Sequence, residues 1–278
     1  MSGRPEHQNP PEIFYNDDES KKYATSSRMI EIQTKMAERC LDLLLLPEDQ
    51  TCLLLDIGCG SGISGQAVSD AGHVWIGYDI SRSMLSIANE REVDGDLINA
   101  DAGQGLKFRP GTFDGAISVS ALQWLCNADK KGHEPFKRLK CFFERLYYCL
   151  RKGARAALQF YPETASQVEM ITSAALRCGF GGGLVVDYPH STKAKKHFLV
   201  IYAGLSGDAP QRIPQGLQDE GDSGTVKVSN RERQGRAKGK SSASRKDWVM
   251  DKKENQRKKG LQVRTDTKYT ARARKPKF

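Results

Sequence analysis

Leu53-Leu-Leu-Asp-Ile-Gly-Cys-Gly-Ser-Gly62 is the stretch that decides the fold. The apolar run from Cys52 to Leu55 has the composition of a strand buried on both faces of a parallel sheet. Asp56 closes it, and Gly58, Gly60 and Gly62 alternate behind it. Lacking a Cβ, these glycines let the chain turn sharply and bring its backbone close to a ligand. Ile63 then opens a short amphipathic helix. A second apolar run, Val74-Trp-Ile-Gly-Tyr78, ends in Asp79, 23 positions after Asp56. A ribose-binding carboxylate falls there in a βαβ nucleotide unit.

The spacing decides which nucleotide. A dinucleotide fingerprint, G-x-G-x-x-G, requires glycine where Ile63 stands. The pattern D-x-G-x-G-x-G instead resembles the S-adenosylmethionine (SAM) loop of class I methyltransferases. SAM has no pyrophosphate, and its amino-acid part carries an ammonium, so an acid ahead of the loop suits it. A glycine triplet alone also fits a turn in other α/β folds; the coincidence of loop, leading acid and second acid separates the two.

The chain has 278 residues, 38% hydrophobic and 28% charged. That is long enough for one domain with a tail, and polar enough to predict a disordered part. No apolar run approaches the roughly 18 residues of a membrane span, and the polar first eleven residues carry no signal-peptide core. The seven cysteines are scattered without a C-x-x-C pair, so no metal site is expected and a reducing compartment fits. Charge is uneven. Residues 227–278 hold 19 Lys and Arg against 5 Asp and Glu, a net +14; the total of +9 leaves −5 for the rest.

Three regions are expected: an N-terminal helical segment, 1–50, packed on the core; a SAM-dependent domain, 51–204; and a flexible linker with a basic RNA- or ribosome-binding tail, 205–278. A helix through Ile30, Met36 and Cys40 ends before Pro47. Ser81 suits an N-cap for a helix carrying Met84 and Leu85. Strands follow at 97–100 and 113–120. Phe136 to Leu150 recur at helical spacing, with Arg151-Lys-Gly153 as the stop and 154–161 as the fifth strand. Another helix, 168–178, precedes strands at 184–188 and 197–202. This alternation predicts a doubly wound, seven-stranded, mostly parallel, Rossmann-like sheet with an antiparallel edge.

In such a fold the ligand lies beyond the carboxyl ends of the strands. Asp56, Gly58, Cys59, Gly60 and Gly62 would form the cofactor loop, with Asp79 accepting from both ribose hydroxyls. Asp101 and Ala102 border the adenine, with Ile80 packed on its ring and Ser118 at the end of strand four. Two alternatives stand beside these: Asp101 as a turn cap and Ile80 as core. Gln123 and Trp124, after strand four, and Phe160 and Tyr161, after strand five, would position the methyl acceptor. Trp124 either stacks on a base, worth roughly 1–3 kcal/mol, or fills the core.

Missing motifs narrow the reaction. No Asn/Asp/Ser-Pro-Pro-aromatic segment follows strand four, as adenine-N6 or amide methylation favours. The sole candidate nucleophile for cytosine C5, Cys126, sits in an apolar helical stretch beyond the strand. An acceptor needing no activation remains, and guanine N7 is one, because its in-plane lone pair carries no proton. Residue logic permits this acceptor without singling it out.

A resemblance singles it out. Arg4-Pro-Glu6, Pro10-Pro-Glu-Ile-Phe-Tyr-Asn16, Leu55–Gly62, Tyr78-Asp-Ile-Ser-Arg-Ser-Met-Leu85, Ala121-Leu-Gln-Trp-Leu-Cys-Asn-Ala-Asp129, Gln159-Phe-Tyr-Pro162 and Gly179-Phe-Gly-Gly-Gly-Leu-Val-Val-Asp-Tyr-Pro189 resemble the eukaryotic 18S ribosomal RNA guanine-N7 methyltransferases. The likeness extends to the basic end, Tyr269–Phe278. It implies action on 18S rRNA precursor in pre-40S particles, in the nucleus and nucleolus with the cytoplasm a further possibility. It also implies a small zinc-binding activator protein that pairs with the sheet edge; Leu97 and Ile98 lie on the expected edge strand. Two alternatives stay open: an assembly factor whose binding to pre-ribosomes matters more than methyl transfer, and a methyltransferase acting on another RNA.

Overall fold

A computed structural model describes residues 4–128, 130, 132–191, 194–204 and 214–218, together with Met250, Lys253, Arg257, Thr265 and Asp266. The elements are α1 (Pro11–Phe14), α2 (Asp17–Thr25), α3 (Ser27–Leu44), β1 (Leu53–Ile57), α4 (Ile63–Asp70), β2 (Val74–Asp79), α5 (Arg82–Glu90), β3 (Asp96–Asn99), β4 (Phe113–Val119), α6 (Pro135–Cys149), β5 (Leu150–Phe160), α7 (Ala165–Arg177), β6 (Phe180–Asp187) and β7 (Lys196–Ala203). Short 3-10 turns lie at Pro5–His7, Ala102–Gln104 and Leu122–Cys126.

One seven-stranded sheet has the order β3-β2-β1-β4-β5-β7-β6. Neighbours from β3 through β5 run parallel, and β7 is antiparallel to both β5 and β6. Residues along the central strands alternate between two cores, as a sheet covered on both faces requires. Leu55, Ala116, Leu158 and Phe160 pack with Leu139, Phe143 and Ile171 of α6 and α7. Leu54, Ile117 and Ala157 pack with Met36, Cys40, Leu43 and Val68 of α3 and α4. Crossover helices on both faces make the fold doubly wound. Side-chain caps start α3, α5 and α7: Ser26 accepts from the Met29 amide, Ser81 from Met84 and Thr164 from Gln167.

Three boundaries differ from the sequence reading. Arg151-Lys152-Gly153 does not form a stop. α6 ends at Cys149 and β5 starts at once, with a register shift opposite β4 between Phe113 and Gly115 and a positive φ of 82° at Gly153. β6 begins at Phe180 rather than Leu184, and its glycines are the reason: a Cβ on Gly182 would sit 2.2 Å from the Val200 carbonyl oxygen. Finally, residues 214–218, inside the expected linker, lie against the end of β6. There the Tyr188 amide donates to the Leu217 carbonyl at 2.7 Å.

The chain forms two compact units, Met1–Asp222 and Ser223–Phe278, and both apolar cores belong to the first. In the second, Asp266 accepts from Lys253 and Arg257, each at 2.5 Å. Trp248 and Tyr269, aromatic residues of the basic tail suited to stack on bases or to pack on a ribosomal protein, lie outside the described residues. Among the described residues no helix is long and apolar enough to cross a membrane.

Candidate active site

The glycine loop joins β1 to α4 with Gly58, Gly60 and Gly62 at φ of 74°, 53° and 79°, a left-handed region that only glycine enters freely. Space demands glycine as well. A Cβ on Gly58 would meet the Ala121 Cβ at 2.3 Å, so the loop after β4 rests on the glycine loop. A Cβ on Gly60 would meet Met84 Cε at 2.8 Å.

Asp79 ends β2 beneath this loop. Its Oδ2 accepts from the Gly60 amide at 2.9 Å and its Oδ1 from the Ser81 amide at 2.8 Å. Each oxygen keeps a lone pair for a ribose hydroxyl. Burial raises its pKa, and the backbone donors partly oppose the rise. Asp56 is wholly buried under the loop and does not reach the crevice wall. Its Oδ2 accepts from Ser64 Oγ at 2.6 Å, and burial pushes its pKa up to about 7.

Ser61 Oγ, on the crevice wall, is buried without a hydrogen-bond partner among the described residues. Unsatisfied buried polar atoms are costly, and this one sits inside the cradle of three glycines. That is the signature of a site whose polar ligand completes it, and a SAM-sized cofactor with an ammonium and hydroxyls fits the donor and acceptor set. Asp56 Oδ1 also lacks a partner among the described residues, but it lies sealed beneath the loop.

The crevice at the carboxyl edge encloses about 1040 Å³ of empty space, its open mouth included. Gly58, Cys59, Gly60, Asp79, Ile80, Asp101, Ala102 and Ser118 all line it. Ser118 Oγ also donates to the Ile57 carbonyl at 2.7 Å, tying β4 to β1 beside the loop. Asp101 does two things at once. It caps its turn by accepting from the Gly103 amide at 2.8 Å, and it pairs with the Arg138 guanidinium at 2.8 and 3.0 Å.

The acceptor side departs from expectation. Trp124 lines the crevice, but its ring lies 5.9 Å from that of Phe14 and 5.8 Å from that of Tyr15 and is buried. Phe160 does not face the crevice; it is fully buried in the core beneath α6 and α7. Gln123 is also buried, and its Nε2 donates to the Ser120 carbonyl at 2.8 Å. Tyr161 packs on Met36 with Lys196 Nζ 5.1 Å from its ring centre. These three shape the wall from behind: the inward-facing register of β5 consumes Phe160, and the loop after β4 consumes Gln123. Burial raises the Cys126 thiol to about 12, which leaves it inert as a nucleophile.

Sequence reasoning missed the other wall. Tyr15 and Tyr23 line the crevice from the N-terminal segment. That segment is strapped across the carboxyl edge. Arg4 donates to the Tyr161 and Pro162 carbonyls at 3.0 and 3.1 Å, Ser81 Oγ to the Tyr15 carbonyl at 2.9 Å, and Lys130 pairs with Glu12 at 2.5 Å. Burial drives both tyrosine pKa values well up, so they stay neutral. It also missed what holds Ser120 in place: at a positive φ of 57°, its amide and hydroxyl both donate to Gln159 Oε1 at 2.9 Å. No local pattern announces a contact 39 residues away.

A Rossmann-like sheet with a D-x-G-x-G-x-G loop and an acid closing β2 defines a class I SAM-dependent methyltransferase, and the "Methyltransferase domain" family model matches residues 54–152. A second model, "Methyltransferase involved in Williams-Beuren syndrome", matches residues 201–276. The probable 18S rRNA (guanine-N(7))-methyltransferase of Dictyostelium discoideum is 54% identical, with 99% of each chain covered. The 18S rRNA (guanine-N(7))-methyltransferase of Mus musculus is 52% identical over 100% of this chain and 99% of its own. The 18S rRNA (guanine(1575)-N(7))-methyltransferase of Saccharomyces cerevisiae is 46% identical over 99% of each. The chain belongs to the family of 18S rRNA (guanine-N7)-methyltransferases.

Proposed function

We propose that this chain transfers a methyl group to N7 of a guanine in 18S rRNA while that RNA is still a precursor within the pre-40S particle. SAM supplies an electrophilic methyl. The observation that carries the reading is the placement of the glycine loop, Asp79 and the loop 120–124 around one crevice whose carboxylates, among the described residues, are all engaged. Asp56 is sealed beneath the loop, both oxygens of Asp79 accept from amides, and Asp101 is paired with Arg138. N7 has no proton to lose, so alignment of its lone pair suffices. Asp79 orients the ribose, Ile80, Asp101 and Ala102 take the adenine, and the Trp124–Tyr15–Tyr23 wall excludes water where the guanine enters. Gln123, Phe160 and Tyr161 hold that wall in place.

The short edge strand β3 supports pairing with a small zinc-binding activator, and Leu97 and Ile98 on it are half-buried. Asn99 Nδ2 donates to the Asp79 and Ile80 carbonyls, each at 3.0 Å. A strand added at β3 therefore steadies the turn that holds the ribose acid. Expressing the chain with and without such a partner tests this; a soluble, fully active chain alone counts against it. A precursor RNA substrate favours work in the nucleus and nucleolus, with the cytoplasm a further site.

Mapping N7-methylguanosine in small-subunit rRNA tests the function. The mark is expected with the wild-type chain and absent with Asp79→Ala; a mark that persists without the chain overturns the assignment. The net +14 of residues 227–278 favours a second reading, in which binding pre-ribosomes is the main contribution. Normal small-subunit output from Asp79→Ala cells would select it.

A further inference from the structure

Gln33 is the polar end of an otherwise apolar stripe. The buried face of α3 carries Gln33, Met36, Ala37, Cys40, Leu43 and Leu44 at helical spacing. The last five pack into the core on one face of the sheet. Gln33 is only 8% exposed, and it lines the crevice. Its side-chain amide has no hydrogen-bond partner among the described residues. A buried amide without a partner is costly, and a methionine or leucine would continue the stripe without that cost. Core packing therefore does not account for Gln33; a ligand that pairs with its amide does.

The course of α3 shows which ligand. The helix runs against β4. Leu44 Cδ1 lies 3.3 Å from where a Cβ on Gly115 would be, Cys40 Sγ donates to the Ser118 carbonyl at 3.9 Å, and Met36 Sδ accepts from the Tyr161 hydroxyl at 3.3 Å. Gln33 is three residues nearer the helix start, about 4.5 Å farther toward the carboxyl edge. In the sheet order β3-β2-β1-β4-β5, Asp79 ends β2 and Asp101 follows β3, on the other side of the glycine loop. With the adenosine over β2 and β3 and the methionine end at the loop, the acceptor base enters over β4 and β5. That is the side on which Gln33 stands.

We propose that Gln33 binds the target guanine, its Nε2 donating to O6 and its Oε1 accepting from N1–H. This rests on guanine N7 being the methyl acceptor. A carboxamide presents one donor and one acceptor side by side, and guanine presents O6 beside N1–H. An unpaired base in RNA has this edge free. O6 also neighbours N7 on the ring, so fixing O6 fixes the in-plane direction of the N7 lone pair. As the N7–methyl bond forms and the sulfur–methyl bond breaks, positive charge passes from sulfur to the guanine ring. N1–H then becomes a stronger donor, and its bond to Oε1 tightens toward the transition state. The rival ligand in the crevice is the carboxylate of the SAM methionine. It has acceptors only and would leave Oε1 unmet, whereas guanine satisfies both atoms of the amide.

A chemical double-mutant cycle tests this. The full-length protein transfers methyl, in single turnover, to a short RNA carrying either guanine or 2-aminopurine at the mapped position. 2-Aminopurine keeps N7 but has neither O6 nor N1–H. Gln33→Met continues the apolar stripe, so its melting temperature without ligand should match or exceed that of the wild type. On the guanine RNA its rate should fall about tenfold or more, with SAM affinity by calorimetry unchanged. On the 2-aminopurine RNA the variant and the wild type should be equally slow. A loss of SAM affinity overturns the proposal and gives the amide to the methionine carboxylate. An equal proportional loss on both RNAs overturns it as a structural effect. If cellular rRNA carries no N7 mark made by this chain, the N7 reading fails and the base contact with it. If the mark is made and Gln33→Met transfers to guanine as fast as the wild type, the base contact alone is overturned.

Discussion

The two walls of the crevice are built in different ways. The cofactor wall is a local device: loop, turn and acid lie within Asp56 to Ala102, and each glycine is required by its own φ and its own neighbour. The acceptor wall is assembled from afar: Tyr15 and Tyr23, Trp124 and, behind them, Gln159 come from three separate parts of the chain. A local device has a spacing that can be read along the sequence. A wall assembled by packing has none, because which side chain faces the crevice depends on strand register and on what else covers the site.

Breaking the cofactor wall should have the largest effect. Gly60→Arg adds a side chain at a φ of 53° and into Met84; SAM affinity measured by calorimetry should fall at least about 100-fold, some 2.7 kcal/mol. Asp79→Ala should cost at least about tenfold, or 1.4 kcal/mol. Unchanged affinity in both, with the fold intact, removes the assignment.

The acceptor wall divides into residues that face the crevice and residues behind it, and that division can be tested. Phe160→Ala should cost about 3–5 kcal/mol of stability, while Phe160→Leu, which keeps most of the volume, should fold and leave the KM for RNA unchanged. Trp124→Ala and Tyr15→Ala should lower turnover roughly tenfold by admitting water and loosening the acceptor. A selective rise in KM for RNA from Phe160→Leu would show the ring facing substrate after all.

A smaller effect is expected from Gln159→Ala, which strips Ser120 of both side-chain-mediated bonds at a strained backbone position. The half-buried Ser120 hydroxyl then loses its acceptor while its amide keeps the Gln159 backbone carbonyl at 3.1 Å; losing such a bond costs about 0.5–1.5 kcal/mol, so turnover should fall severalfold with SAM affinity unchanged. Loss of SAM affinity instead would join the two walls into one unit.

The smallest test concerns pH. Asp56 is pushed up to about 7 in the folded chain by burial, against an ordinary 3.8. Between those values the unfolded chain has lost the proton and the folded chain still holds it. Stability without SAM should therefore decline as pH rises from about 4 to 7 and level off above that. Asp56→Asn should flatten this part of the melting-temperature profile. An identical slope in the variant would trace the decline to other groups.

The order of strands and helices follows from apolar runs broken by glycine, proline and capping residues, so the seven-stranded sheet is legible in the amino-acid sequence. The exceptions have physical causes. Arg151-Lys152-Gly153 carries the signs of a helix end, yet partner strands β4 and β7 draw the chain into β5 directly. Gly181 to Gly183 lack every mark of a strand, yet at Gly182 only glycine lets β6 lie so close to the β7 backbone.

The sequence by itself determined the cofactor class, the sheet and the family, because each rests on residues near one another in the chain, where spacing and geometry are the same information. Tertiary structure alone decided that Phe160 is core and not wall, that Tyr15 and Tyr23 close the crevice, that Arg138 holds Asp101, and that residues 214–218 are clasped by Arg39 and Asp187. Each depends on groups dozens of residues apart meeting at the carboxyl edge. Strand order and register bring them there, and the linear pattern of the chain does not encode that meeting.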